Sequence, residues 1–178
     1  MEDMQQQVDE EEEESAPFNE VYVWGDDSCG QLGLCGLFPE KQQVHLSPKI
    51  CSFNVIIKSI ACGFKHTLFV SESGHVYSMG SNSHGQLGIG DQSVKTKNTP
   101  TLVESQPFVE NVIVKVSCGN YHSLALTESG KAFSWGQGKF GALGLGRSDS
   151  LYIPCEVPLS QTLKDISAGG SHSGFISV

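Results

Sequence analysis

The chain has 178 residues, 20 of them glycine, with a formal net charge of -9, 17% charged residues and 8% aromatic residues. An acidic chain without clustered Lys and Arg is poorly built to neutralise phosphates, which argues against nucleic acid or an anionic membrane as its main partner. No apolar run approaches the roughly 18 residues that a spanning helix needs, so no membrane is expected as a partner.

In chain order, residues 1–17 (MEDMQQQVDEEEEESAP) come first. Their acidic run from Asp9 to Glu14 and scarcity of apolar side chains predict a disordered acidic tail. Neither a basic start nor an apolar run marks a signal peptide. The folded domain is then expected over residues 18–178. EVYVWG reads as its first strand, and a glycine-rich run, VWGDDSCGQLGLCG, begins at Val23. Val55 to Ile57 with Ile60 gives a strand leading into Cys62 and Gly63. From His66, HTLFVSESGHVYSMG places two β-forming segments around Glu-Ser-Gly, a hairpin signal. A second glycine-rich run, SMGSNSHGQLGIGD, starts at Ser78. The order then repeats: a strand over Val112 to Val116, a hairpin HSLALTESGKAFSWG from His122, and SWGQGKFGALGLGR from Ser134. Leu68 and Val70 match Leu124 and Leu126 on one face of a strand of period two. Ile166 announces a last strand before Ala168, and HSGFISV repeats the opening of the hairpin from His172.

Gly25, Gly80 and Gly136 are 55 and then 56 residues apart; His66, His122 and His172 are 56 and then 50 apart. A period near 50 residues, several short strands per unit, glycine-rich corners and no long amphipathic helix predict an all-β repeat protein. Its small antiparallel sheets are four-stranded propeller blades, about three of them.

Two local motifs need weighing against that repeat. Gly136, Gly138 and Gly141 have the spacing G-x-G-x-x-G, but a phosphate cradle of that type opens a helix within a βαβ unit, and no helical pattern follows Gly141. The matching segments GDDSCG and GSNSHG keep the outer glycines and lack the middle one, so a repeat turn is expected. The three matched histidines could suggest a metal site, but in a radial repeat they fall in different blades, where each is expected to tie one blade to its neighbour. His45, His75 and His84 lack matching counterparts and read as surface residues. No Ser/His/Asp set, paired carboxylates or H-E-x-x-H stands in the sequence, so no enzyme activity, cofactor or metal is expected. The six cysteines (Cys29, Cys35, Cys51, Cys62, Cys118, Cys155) form no C-x-x-C pair. This reads as a reduced, intracellular chain, cytoplasmic rather than nuclear. Cys62, Cys118 and Ala168 share one repeat position, expected to need a small buried residue.

The string C-G-x-x-H-[ST]-L-x-[LV]-[ST]-E-S-G-x-[VA]-[YF]-S-x-G stands twice, with G-Q-L-G in the first two glycine-rich runs and G-A-L-G in the third. Over residues 21–178 the chain resembles the regulator of chromosome condensation repeat family. The resemblance implies a propeller; the best-studied members have seven blades. It marks Gly25, Gly63, His66, Gly80, Gly119, His122, Gly136, Gly169 and His172 as structural repeat positions. It also implies one activity to weigh, guanine-nucleotide exchange on a Ran-like small GTPase, carried by acidic and histidine side chains at the variable positions of the G-x-x-H loops. Here those positions hold Phe64 and Lys65, Asn120 and Tyr121, and Gly170 and Ser171. None is acidic or histidine. The sequence therefore reads as a non-catalytic protein-protein interaction scaffold, with Phe64, Lys65, Asn120 and Tyr121 as the partner contacts; exchange-factor activity toward a small GTPase is the alternative. Three units fall short of seven blades and cannot close a ring alone. An open arc, a piece of a longer propeller, and self-assembly of copies to close a ring all remain open.

Overall fold

A computed structural model describes residues 18–34 and 43–178. The expected acidic tail and Cys35 lie outside the described residues. The chain folds into antiparallel strands: β1 (Val21–Asp26), β2 (Val44–Cys51), β3 (Ile57–Cys62), β4 (His66–Ser71), β5 (Val76–Ser81), β6 (Thr96–Leu102), β7 (Ile113–Cys118), β8 (His122–Thr127), β9 (Ala132–Gly136), β10 (Leu151–Glu156), β11 (Leu163–Ala168) and β12 (Ser173–Ser177). A four-residue helix, α1 (Gln106–Val109), lies between β6 and β7.

The strands form two complete four-stranded blades, β3-β4-β5-β6 and β7-β8-β9-β10, flanked by the pairs β1-β2 and β11-β12. β3 packs on β7 and β7 on β11, which places the first strand of each blade at the hub. By sequence match, β1-β2 is the outer half of a blade and β11-β12 the inner half. Three repeat units are therefore present, dealt out as two whole sheets and two halves.

Both predicted hairpins are formed. Gly74 and Gly130 take φ of 81° and 80° at the Glu-Ser-Gly turns, a conformation that glycine adopts without a Cβ penalty. The strands before these turns are buried on both faces, not one. In β4, Leu68 and Val70 enter the core between the two complete blades, whereas Phe69 enters the core shared with β1-β2. In β8, Ala125 faces the first of these cores, and Leu124 and Leu126 face a third core, shared with β11-β12. Each core is a seam between neighbouring sheets, so a middle strand has no wet face and its apolar run is continuous.

Three sequence expectations are corrected. His45 is buried, 2% exposed, on β2 opposite Gly25, which presents no side chain. His84 is half-buried, packed against Tyr121, while His75 is exposed as expected. The position shared by Cys62, Cys118 and Ala168 is exposed in the first case and half-buried in the others, because it ends the hub strand beside the loops. Small size there serves close blade contact: the Cys118 thiol donates to the Ala61 carbonyl of the neighbouring blade at 3.3 Å.

Candidate partner-binding face

Strand register brings the two loop types together. His66 lies opposite Gly80 and His122 opposite Gly136, so each G-x-x-H loop sits beside a glycine-rich loop at the same end of the blades. The G-x-x-H spacing is a packing requirement. A Cβ on Gly63, Gly119 or Gly169 would lie 2.3, 2.2 and 2.3 Å from Cε1 of His66, His122 and His172, far inside van der Waals contact. The bare glycine lets each ring lie across its own loop.

From that position the ring crosses the seam. His66 Nε2 is 3.0 Å from Ser123 Oγ, and Ser123 Oγ donates to the Gln86 carbonyl at 2.7 Å. With its single proton committed there, the serine accepts from Nε2-H and fixes the neutral tautomer. His122 repeats the arrangement with Ser173 at 3.0 Å, which donates to the Ala142 carbonyl at 2.7 Å. Burial, with a smaller contribution from His122, pushes the His66 pKa down to about 3. Burial and then His172 lower His122 in the same direction. Trp135 Nε1 joins the Gln86 carbonyl at 2.9 Å. The Gln86 side chain folds back to accept from His84 N at 2.9 Å, so G-Q-L-G closes its own loop while its backbone carbonyl receives the next blade. His66 and His122 are thus ties between blades. Among the described residues, no group of three or more His, Cys, Asp or Glu is placed to hold a metal ion, and no helix is long and apolar enough to cross a membrane.

The G-x-G-x-x-G stretch leads into a 3-10 turn, Lys139–Gly141, with no helix behind it. Gly136 and Gly141 have positive φ. Gly138 does not; it is required because a Cβ would lie 2.0 Å from the Asp149 carbonyl.

The four predicted contact residues share the loop face. Phe64 is 58% exposed and meets Tyr121 edge-on, ring centroids 5.9 Å apart, across the seam between the complete blades. Lys65 Nζ lies 5.8 Å from the Phe64 ring centre. Asn120 is exposed one seam further on, its backbone N donating to the Gly170 carbonyl at 3.1 Å. Two residues of the same face were missed. His84 packs at a tilt against Tyr121, ring centroids 5.0 Å apart, and Phe140 is 76% exposed with Lys139 Nζ 4.9 Å from its ring centre. Both occupy the variable position between the outer glycines of their loops, the same kind of position that selected Phe64 and Tyr121. The face also carries charge. Desolvation works against the Asp26 carboxylate, but hydrogen bonds from Ser28 and Gln31 and the charge of Lys65 hold its pKa below the ordinary value.

A profile of the regulator of chromosome condensation (RCC1) repeat matches residues 19–70, 73–126 and 129–176. The chain belongs to this repeat family. Each RCC1 repeat here runs from the outer half of one blade into the inner half of the next, which accounts for two whole sheets and two halves. The chain is 38% identical over 166 residues to the human probable E3 ubiquitin-protein ligase HERC6, covering 89% of this chain and 15% of that protein. It is 35% identical over 163 residues to the Arabidopsis thaliana RCC1 domain-containing protein RUG3, mitochondrial, covering 88% and 36%. The crystal structure of Prp20p from Saccharomyces cerevisiae, described together with its binding to Gsp1p and histones, superposes with a TM-score of 0.76 at 28% identity. That match covers 90% of this chain and 40% of Prp20p. The chain thus spans well under half the length of these relatives.

Proposed function

We propose that this chain is a non-catalytic protein-binding module that grips its partner with the loop face. The observation that carries this reading is the aromatic cluster of exposed Phe64 with half-buried Tyr121 and His84, which straddles the seam beside Lys65. Aromatic side chains flanked by charge are the composition of interface hot spots, because they bury large area at low entropic cost. The partner is a protein, in keeping with the binding of Gsp1p and histones described for yeast Prp20p. Guanine-nucleotide exchange on a Ran-like GTPase is the second reading, favoured by the likeness to Prp20p.

The test compares proteins retained by the immobilised wild-type chain with those retained by Phe64→Ala/Tyr121→Ala, with far-UV circular dichroism as the fold control. Loss of about 2 kcal/mol or more of binding free energy for a retained protein is expected when central aromatic anchors are truncated. Unchanged retention sinks the assignment of this face. Accelerated release of labelled guanine nucleotide from a Ran-like GTPase, abolished in the same variant, would replace the scaffold reading with the exchange reading.

A further inference from the structure

One connection between blades departs from the repeat. Residues 103–112, between β6 and β7, number ten, whereas the equivalent connections, 52–56 and 157–162, number five and six. The added length forms α1, which is fixed on its inner side. Phe108 is buried and meets Phe133 and Trp135 edge-on, ring centroids 5.8 and 5.6 Å away. Backbone N–H groups of Phe108 and Val109 donate to the Ser105 carbonyl, and Asn111 Nδ2 donates to that of Pro107 at 2.8 Å. Val109, held in this turn, is nevertheless 77% exposed.

Ser81 and Thr96 pair at the loop-face end of β5 and β6, Tyr77 and Leu102 at the other end. The connection therefore lies at the end of the blades away from the G-x-x-H loops. There Leu102, Val103, Phe108 and Val109, with His75 and Glu104, line a groove of about 370 Å³. That is the low end of the roughly 300–1,000 Å³ typical of recognition pockets, room for an apolar side chain and its neighbours. Five or six residues suffice to join blades, so the added turn is not needed for the connection. What it builds is one wall of the groove.

The surroundings are acidic. Glu104 lines the groove and Glu110 follows Val109, accepting from the Gln106 side chain at 2.7 Å. Glu72 and Glu128 stand in the Glu-Ser-Gly turns that flank the end of the connection: Ile113 N donates to the Gly74 carbonyl at 3.2 Å, and Glu128 N to the Val112 carbonyl at 2.9 Å. Among the described residues none of these four carboxylates is in an ion pair; the pairs formed join Lys115 to Asp165 and Lys131 to Glu156.

We propose that this groove docks a segment of a partner protein presenting an apolar side chain flanked by lysine or arginine. The apolar residue packs between Leu102 and Val109, and the cations meet Glu104 and Glu110. Apolar contact supplies affinity, and the complementary charge selects the segment and sets its orientation. The site is separate from the loop face, so both faces can be occupied at once.

The probe is a phage-displayed library of random peptides, first depleted on immobilised Val109→Lys and then selected on the immobilised wild-type chain. Val109→Lys alters an exposed side chain, so its circular dichroism should match wild type, and depletion removes peptides that bind elsewhere. Surviving peptides are expected to carry an apolar residue with Lys or Arg close by. In fluorescence anisotropy, synthetic copies should lose roughly tenfold in affinity on Glu104→Gln/Glu110→Gln and weaken between about 50 and 300 mM salt. Phe64→Ala/Tyr121→Ala should leave their affinity unchanged, which separates this site from the loop face. No surviving peptide, or survivors without basic residues, overturns the inference. So does an affinity that Glu104→Gln/Glu110→Gln leaves unchanged or that the loop-face variant abolishes.

Discussion

At Gly119 an added methyl would be driven into the His122 ring and, at 2.5 Å, against the Gly169 carbonyl. Gly119→Ala should therefore destabilise the chain by about 1–3 kcal/mol, the usual cost of forcing a methyl into packed surroundings. A urea melt measures it. If the collision with the ring is the cause, the double variant Gly119→Ala/His122→Ala will lose less than the two single losses summed, since contacting sites are not additive. The G-x-x-H spacing was legible in the sequence as a repeat mark, and the blade-tying role of its histidine was legible from repetition. The reason for the glycine was not, because it depends on how a ring folds over its own loop. His45 was misread because its burial comes from strand pairing, which brings it opposite Gly25, 20 residues away in sequence.

The outermost strands were the hardest elements to read. β2, β6 and β10 have the sequences VHLSPKIC, TKNTPTL and LYIPCE, each interrupted by a proline. Pro48, Pro100 and Pro154 all fall where the pairing register breaks, between His45 and Lys49, Lys97 and Thr101, and Leu151 and Cys155. A proline removes a ladder donor and is tolerated at edges and bulges. It also blunts the edge that would otherwise recruit another strand. These strands show no clean alternation because their burial is partial. The middle strands announced themselves better, yet by continuous apolar runs, since β4 and β8 are covered on both faces. Leu124 is fully buried in the seam between the second complete blade and β11-β12. Leu124→Ala should cost about 2–5 kcal/mol, the range for truncating a leucine in a close-packed core, seen as a lower urea midpoint.

For the molecule as a whole, stability rests on seams that hold neutral histidines. An unfolded His66 titrates near 6.5, whereas the folded one is held down to about 3. Between those values the unfolded chain binds more protons, so stability is complete above about pH 6.5 and is lost as pH falls toward 3. His66 alone should contribute about 1.4 kcal/mol per pH unit across most of that window, and His122 acts in the same direction. Urea melts at pH 7.5, 6 and 5 should fall in midpoint in that order, and His66→Gln should flatten the trend; a midpoint indifferent to pH would contradict neutral burial. The number of repeats and their all-β character were legible from the period. Their phase followed from the hairpin, since EVYVWG matches the strand after its turn and HSGFISV the strand before it, and hydrogen bonding between β4 and β5 places those two strands in one sheet.

That half-blade offset has a genetic meaning. Every repeat starts with an outer pair and ends with an inner pair, so any two copies joined in tandem complete a sheet at their junction. Duplicating or deleting one coding unit therefore changes how many blades a descendant carries without inventing a new joint, and lineages can vary the girth of the propeller while keeping its chemistry.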